Sequence, residues 1–201
     1  MRFSFPLLVS TLALLLGIAA QRLPAATIVL DAGHGGHDPG GIPGQKFSEK
    51  AAALDVALRV QSRLQAAGHR VVQTRSRDVF VELPRRVAVS NRTPGRPLFV
   101  SIHFNASPNR RAHGIETYYF APSSVPLAKA IHRRVVRASG QPDRGIRRAR
   151  FYVLRTNTRP AALLELGFLT HPQEGRAIAQ NPVYRQKLAD AVADGILSCL
   201  R

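Results

Sequence analysis

Short apolar runs alternate with helical segments along most of the chain, and this alternation constrains the fold more than any other feature. The predicted strands are "TIVLDA", "HRVVQT", "PLFVSIHFN", "GIETYYF" and "PAALLELGF", with one or two further short strands in "RGIRRARFYVLRT". Helices are predicted between them at 48–68, 83–92, 125–140 and 181–200. This order predicts an α/β fold: a single domain with a mostly parallel, twisted sheet flanked by helices on both faces.

The N-terminal segment differs from the rest of the chain. Its apolar stretch at 5–20 follows a single charge, Arg2, and is short for a membrane span, with no positive flank after it. We therefore predict a signal peptide within residues 1–26, cleaved near 20–26, and an exported domain at 27–201. An uncleaved N-terminal anchor is the alternative. Export leaves both the periplasm and the extracellular cell wall open as destinations.

The chain has one cysteine, Cys199, which excludes an intramolecular disulfide and a thiolate zinc cluster. Any metal site must therefore be built from histidines and carboxylates. With 45% hydrophobic and 20% charged residues, the 201-residue chain has the composition of one globular domain. The sequence holds no linker, internal repeat or low-complexity tract, so no appended binding module is predicted, and we expect a monomer.

The formal net charge is +17, most of it from arginine. A charge of this size attracts polyanions. No helix-turn-helix, zinc-finger or RNA-binding signature accompanies it, so a nucleic-acid partner is not predicted. Anionic polymers of the cell envelope, or a membrane surface, fit an exported protein better. A solvated basic surface without a dedicated partner is the simpler alternative.

Three predicted strands carry a polar side chain that the sheet does not need. His34 follows "VLDAG", His103 follows "LFVSI", and Glu165 lies within "AALLELGF". In open α/β sheets ligands bind outside the carboxyl ends of the strands, so these side chains could converge. Glu49, in the predicted first turn of the long helix, is a fourth candidate, although the helix dipole alone would favour a carboxylate there.

These four residues fit a zinc hydrolase. Two histidines and one glutamate holding zinc form an established catalytic set, and a second carboxylate can take a proton from the water that zinc activates. His34, Glu49 and His103 would be the ligands, and Glu165 the general base. Glu165 is the hardest to explain as structural, because its strand is the most apolar in the chain and burying an unpaired carboxylate is costly.

The glycine-rich stretch "GHGGHDPGG" has competing interpretations. A phosphate-binding loop is not supported, since no Lys-Ser/Thr pair follows the glycines and no helix starts directly after them. A serine hydrolase would need a G-x-S-x-G elbow, which the sequence lacks. His37 could be a metal ligand, a donor to a ligand or a solvated residue. Structural roles are predicted for the remaining histidines, which lie at 69, 113, 132 and 171 in loop or helix-surface contexts.

The chain also resembles a known family, the zinc-dependent N-acetylmuramoyl-L-alanine amidases often called amidase 3. The resemblance rests on "IVLDAGHGGHDPGG", "SEKAAALDVALRV", "VVQTRSRDVFVELPRRVAVSN", "LFVSIHFNAS", "GIETYYF" and "DRGIRRARFYVLRTNTRPAALLELGFLTHPQE", in this order. In that family the histidine of "GHGG", the glutamate that opens the first helix and the histidine of "SIHxNA" bind zinc. The glutamate of "ELGF" is the catalytic carboxylate. The resemblance thus implies these roles for His34, Glu49, His103 and Glu165, and an amidase catalytic domain at 27–201.

The resemblance implies hydrolysis of the amide between the lactyl group of N-acetylmuramic acid and the L-alanine of the peptidoglycan stem peptide. Asn105, on the strand end beside His103, is a candidate substrate-orienting donor. The chain departs from the family at Phe104, where a small residue is usual, and at His171, where asparagine is frequent. Some relatives insert a helix that plugs the zinc site. Here "GIETYYFAPSSVPLAKAIHRR" passes straight from strand to helix, so we expect an open site.

Three alternatives to this function stay open. The zinc scheme does not fix the substrate, so a zinc peptidase or carboxypeptidase acting on wall peptides is one of them. A non-catalytic wall-binding protein that keeps the fold is the second, although the presence of all four key residues argues against it. A basic nucleic-acid-binding protein is the third.

Overall fold

The computed structural model describes residues 25–200. Residues 1–24, which hold most of the predicted signal peptide, lie outside this range. Across the part that is described, no helix combines the length and the apolar character that crossing a bilayer requires.

Six strands form one sheet in the order β2-β1-β3-β6-β4-β5. They are β1 (Thr27–Ala32), β2 (Arg70–Gln73), β3 (Leu98–Asn105), β4 (Ile115–Tyr119), β5 (Asp143–Arg148) and β6 (Ala161–Phe168). All neighbouring strands are parallel except β4, which runs antiparallel to β6. The predicted mostly parallel sheet is confirmed, and it places the carboxyl ends of β1, β3 and β6 side by side.

Helices cover both faces of the sheet, as predicted. They are α1 (Glu49–Ala66), α2 (Leu83–Arg92), α3 (Val125–Ser139), α4 (Tyr152–Arg155), α5 (Pro172–Gln180) and α6 (Pro182–Cys199). Alternate strand residues enter two separate cores. Ile28 and Leu30 pack into the larger core with α1, α3 and α6, whereas Val29 packs into the smaller core with α2 and α4. Burial on both faces explains why the strands read as continuous apolar runs.

Three local features differ from the sequence-based expectation. Helix α5 was not predicted; it begins at Pro172, a residue whose fixed φ suits the first turn of a helix. The segment "RGIRRARFYVLRT", for which one or two short strands were predicted, contains most of one, β5, and then the unpredicted single-turn helix α4. Ser48, the first residue of the predicted helix at 48–68, lies before α1 and makes no capping hydrogen bond to it; its hydroxyl donates to the Pro39 carbonyl over 3.4 Å.

Candidate metal and catalytic site

A cavity of about 580 Å³ opens at the carboxyl ends of β1, β3 and β6, and all four candidate residues line it. We call it the cleft. His34 lies two residues after β1, and Glu49 is the first residue of α1. His103 and Glu165 are directly paired in register on β3 and β6. The structure therefore brings together the four residues that the sequence singled out.

The loop after β1 has an unusual backbone. His34 has φ 59, and it is the only non-glycine residue with positive φ among residues 25–200. Histidine tolerates this left-handed region better than most side chains, but the conformation is still uncommon and is characteristic of functional sites. Gly33 is needed for a different reason: a Cβ there would lie 2.3 Å from the His103 ring. Gly33 thus allows the backbone of the loop to lie close to the His103 ring.

Two buried arginines donate hydrogen bonds to the backbone carbonyls of this loop. Arg75 donates to the carbonyls of Ala32 and Gly33 over 2.9 and 2.7 Å. Arg86 donates to the carbonyls of Ala32 and His34 over 2.6 and 2.7 Å. The backbone of the histidine loop is therefore fixed by charge-assisted hydrogen bonds, which are stronger than those between neutral groups.

Arg86 also forms a buried ion pair with Asp31, with 2.9 Å between its Nη1 and Oδ1. Asp31 accepts further hydrogen bonds from the hydroxyls of Thr74 and Ser101. Every partner that Asp31 needs is present, which is the condition under which a buried charge is tolerated. Sequence reasoning missed both arginines, because nothing in "TRSRD" or "LPRR" distinguishes a buried arginine from the many exposed ones.

Glu49 joins the two histidines. Its Oε2 lies 3.1 Å from His34 Nε2, and its Oε1 lies 2.9 Å from His103 Nδ1. One ligand atom from each of the three residues lies within 4.8 Å of the others. We call these residues the ligand cluster.

Asp38 orients His34 from outside the ligand cluster. Its Oδ2 lies 2.8 Å from His34 Nδ1, and its Oδ1 accepts a hydrogen bond from the Gly40 N–H. A carboxylate on the second ring nitrogen is the usual partner of a metal-binding histidine, since it keeps the proton on that nitrogen and leaves the other free. Sequence reasoning missed Asp38; the available signal was an acid four residues after His34 in the same loop.

Electrostatics prepare the ligand cluster for a cation. Burial alone would raise the pKa of Glu49, but hydrogen bonds and charge from His103 and His34 outweigh it and lower the pKa to about 2. Burial opposes protonation of His34, but Glu49 and Asp38 outweigh it and raise its pKa. An ionised carboxylate between two imidazoles is a donor set that suits Zn²⁺. The residues present therefore fit a zinc ion.

Glu165 has the opposite surroundings. Its Oε2 atom is buried and has no hydrogen-bond partner, although the residue as a whole is only partly buried. Burial, followed by the negative charges of Glu49 and Glu116, raises its pKa well above the ordinary value. A carboxyl group in a cleft whose pKa is raised by burial and by neighbouring carboxylates is a candidate general acid or base.

Asn105 is held by a neighbouring network. Its Nδ2 donates to the buried Glu116 carboxylate over 2.9 Å, and its Oδ1 accepts from the Ala106 N–H. Glu116 also accepts hydrogen bonds from Tyr118 and Arg144. Asn105 lines the cleft, and these two bonds leave its second amide hydrogen and one lone pair of Oδ1 for a substrate. Sequence reasoning missed Glu116, whose partners come from three different strands.

The other histidines lie elsewhere. His37 is exposed and packs on the Phe80 ring with 4.1 Å between centroids, outside the ligand cluster. His132 is buried rather than on a helix surface, because its ring nitrogens lie 3.0 Å from the Thr117 hydroxyl and 2.8 Å from the Asp143 carboxylate. That part of the sequence-based expectation was wrong, although the role of His132 is structural.

The two departures from the family motif have structural explanations. Phe104 is buried in the larger core, so its bulk is a matter of packing. His171 is the N-cap of α5, where its Nδ1 accepts a hydrogen bond from the Glu174 N–H. Asparagine is itself a preferred N-cap residue, so both side chains serve the same local purpose.

Comparison with known proteins agrees with this geometry. Residues 28–198 match the family described as N-acetylmuramoyl-L-alanine amidase, Amidase_3. The amidase LytC of Bacillus subtilis is 38% identical over 87% of this chain, which spans only 36% of LytC.

Two solved structures are similar over nearly their whole length. The catalytic domain of the amidase CwlV from Bacillus (Paenibacillus) polymyxa var. colistinus is 39% identical with a TM-score of 0.83, over 87% of this chain and 98% of that one. The amidase AmiC2 of Nostoc punctiforme is 37% identical with a TM-score of 0.81, over 87% and 97%. The chain therefore belongs to the Amidase_3 family of N-acetylmuramoyl-L-alanine amidases.

Proposed function

We propose that this protein is a zinc-dependent N-acetylmuramoyl-L-alanine amidase, which hydrolyses the amide bond between N-acetylmuramic acid and L-alanine in peptidoglycan. One observation carries the proposal. The ligand cluster and the Glu165 carboxyl, whose Oε2 has no partner, line the same cleft. LytC, CwlV and AmiC2 are all named as amidases of this type, which supports the substrate class.

His34, Glu49 and His103 would hold the zinc ion. When bound, zinc would lower the pKa of a water molecule to roughly 7 and polarise the amide carbonyl. Asp38 keeps the proton of His34 on Nδ1, so that Nε2 is free for the metal.

Glu165 moves the proton in this proposal. Its carboxylate takes a proton from the attacking water as the C–O bond forms, and returns that proton to the alanine nitrogen as the C–N bond breaks. The products are a free lactyl carboxylate and a stem peptide with a free amine. A raised pKa suits both steps, because it makes the carboxylate a stronger base and lets the protonated form persist to higher pH than in an ordinary glutamate.

The site of action follows from the substrate. We infer that the protein is exported to the periplasm or the extracellular wall, in line with the predicted signal peptide. Its net charge of +17 would hold it near anionic polymers of the envelope.

The test is product analysis on purified peptidoglycan, with and without a chelator, together with the metal content of the protein. The proposal expects bound zinc and chelator-sensitive release of stem peptides that begin with L-alanine, while the glycan strands stay intact. Release of single terminal residues would identify a carboxypeptidase instead. Binding to the wall without any cleavage would identify a non-catalytic protein, and tight binding of DNA or RNA without zinc a nucleic-acid-binding one.

A further inference from the structure

A second cavity, of about 450 Å³, adjoins the cleft. We call it the side pocket; its lining residues lie within 42–47, 107–110 and 169–176. Ile42 lines both cavities. A backbone hydrogen bond also joins the linings of the two cavities: the N–H of Leu169, which lines the side pocket, donates to the carbonyl of Asn105, which lines the cleft, over 2.9 Å. A ligand chain that leaves the cleft can therefore continue into the side pocket.

The Lys and Arg side chains that line the side pocket have no acidic counterpart among its lining residues. Three exposed cations line it, namely Lys46, Arg110 and Arg176, and they come from three separate segments of the chain. No aspartate or glutamate is among its lining residues. Within residues 25–200, none of the three cations forms an ion pair, in contrast to Lys50, which pairs with Asp78 over 2.7 Å. Like charges that line one cavity without a counter-ion attract an anionic ligand.

The rest of the cleft has a different character. The exposed apolar side chains of Phe80, Leu83 and Phe151 line the cleft and do not line the side pocket. Aromatic and aliphatic faces suit a neutral sugar ring better than a charged peptide. In the uncleaved substrate the lactyl carboxyl of the muramoyl group forms the amide bond and carries no charge. The free carboxylates of the substrate therefore lie on the peptide side of that bond.

We propose that the side pocket binds a carboxylate of the stem peptide, beyond the L-alanine whose amide bond is cleaved. Lys46, Arg110 and Arg176 recognise the carboxylate, and the peptide leaves the cleft past Ile42. This inference rests on the proposed amidase function and adds an orientation to it: peptide toward the cations, sugar toward the apolar rim.

The test uses soluble muramoyl tripeptides that differ in one group. The α-carboxylate of the second residue and the C-terminal carboxylate are each supplied either free or as the carboxamide. For the wild-type protein, amidation of the recognised carboxylate should lower kcat/KM by about 10-fold, mainly through KM, as expected for a contact of about 1.4 kcal/mol. In the triple variant K46Q/R110Q/R176Q this preference should disappear, so that the free and the amidated substrates are hydrolysed with equal kcat/KM.

A control variant with the same loss of charge is K187Q/R133Q/R137Q, whose three residues are exposed on α3 and α6 and do not line the side pocket. It should keep the preference, and loss of the preference in the control would overturn the proposal in favour of a general charge effect. If the triple variant folds poorly, the single variants R110Q and R176Q decide, since each should reduce the preference. An unchanged preference in both would overturn the proposal.

Three further outcomes would overturn the proposal, and the first two separate it from the function on which it rests. Equal hydrolysis of free and amidated substrates by the wild-type protein would overturn the side-pocket proposal alone. Failure to hydrolyse any of them would overturn the amidase function, and the side-pocket proposal with it. If the triple variant kept its preference but lost binding to intact wall, the cations would serve a wall polymer instead, which also overturns the proposal.

Discussion

Two of the carboxylates that line the cleft, Glu49 and Glu165, have opposite surroundings. Glu49 accepts a hydrogen bond from the Phe104 N–H, contacts both His34 and His103, and lies in the first turn of α1, where the helix dipole favours negative charge. Glu165 has a buried oxygen without any donor. The pKa of the first is lowered to about 2, and the pKa of the second is raised.

The difference shows how one cleft can separate two tasks. A carboxylate that is surrounded by donors stays ionised and is ready to bind a cation. A carboxylate without donors gives up stability in the folded protein and gains the ability to exchange a proton. We call the part of the cleft that holds the ligand cluster the Glu49 half, and the part around Glu165 the Glu165 half. The Glu49 half is therefore expected to bind metal, and the Glu165 half to move protons.

The largest effect should come from breaking the Glu49 half. His103→Ala removes one histidine of the ligand cluster, so we expect loss of zinc and a fall in hydrolysis on the order of 10⁴-fold or more, because the metal supplies both polarisation and an activated water. Metal analysis and peptidoglycan turnover measure both. His37→Ala is the matched control, since His37 is exposed and lies in the same loop as His34. Loss of zinc in the control would show that the loop, and not the ligand cluster, governs binding.

Breaking the Glu165 half should have a different signature. Glu165→Gln keeps the shape of the side chain but cannot accept a proton, so we expect activity to fall by roughly 10²–10⁴-fold. Zinc content should stay unchanged, because Glu165 is not in the ligand cluster. A variant that lost zinc and activity together would contradict the division of the cleft into two halves.

The sequence predicts the two halves unequally. The strand pattern is enough to predict that His103 and Glu165 lie at a common edge of the sheet, because ligands bind at the carboxyl ends of parallel strands. Their direct pairing in register is seen only in the structure. What holds the Glu49 half in place is not predictable in the same way. Arg75 and Arg86 bind backbone carbonyls more than 40 residues away in the chain, and such partners leave no local pattern. Helix α5 was missed because it is short and follows β6 after only a few residues.

Arg86 tests how far the Glu49 half depends on its buried support. Arg86→Met leaves Asp31 as a buried charge without its cation, which costs about 3–5 kcal/mol of unfolding free energy. It also frees the His34 carbonyl, so we expect weaker zinc binding as well. Denaturant unfolding and zinc titration measure the two effects. Arg63→Met is the control, because its pair with Asp194 is exposed and should contribute less than about 1 kcal/mol.

The buried Glu165 carboxyl should lower the stability of the folded protein by a measurable amount. With zinc removed by a chelator, we expect Glu165→Gln to be more stable than the wild-type protein at neutral pH by about 1–3 kcal/mol, because glutamine carries no negative charge that burial, Glu49 and Glu116 would oppose. The folded pKa of Glu165 lies above the ordinary value of 4.5. The wild-type protein therefore loses stability relative to the variant as the pH rises above about 4.5. Thermal unfolding of both proteins between pH 4 and 8 measures this difference, and a gap that does not change with pH would contradict it.

The smallest effect should come from the cap that supports the end of β6. His171 caps α5, and α5 carries Glu174, whose buried carboxylate accepts the Phe168 N–H at the end of the strand. His171→Ala should lower the free energy of unfolding by about 1 kcal/mol. His171→Asn keeps a capping acceptor, so its free energy of unfolding should stay within roughly a few tenths of a kcal/mol of the wild-type value.

Burial and the neighbouring His113 lower the pKa of His171, and its Nδ1 can accept a hydrogen bond only while it is unprotonated. The wild-type cap should therefore weaken as the pH falls below about 6.5, the ordinary histidine value, and the asparagine cap should not. Because His171 does not line the cleft, zinc content should be the same in all three proteins. A change in zinc content would mean that the two halves are coupled through β6.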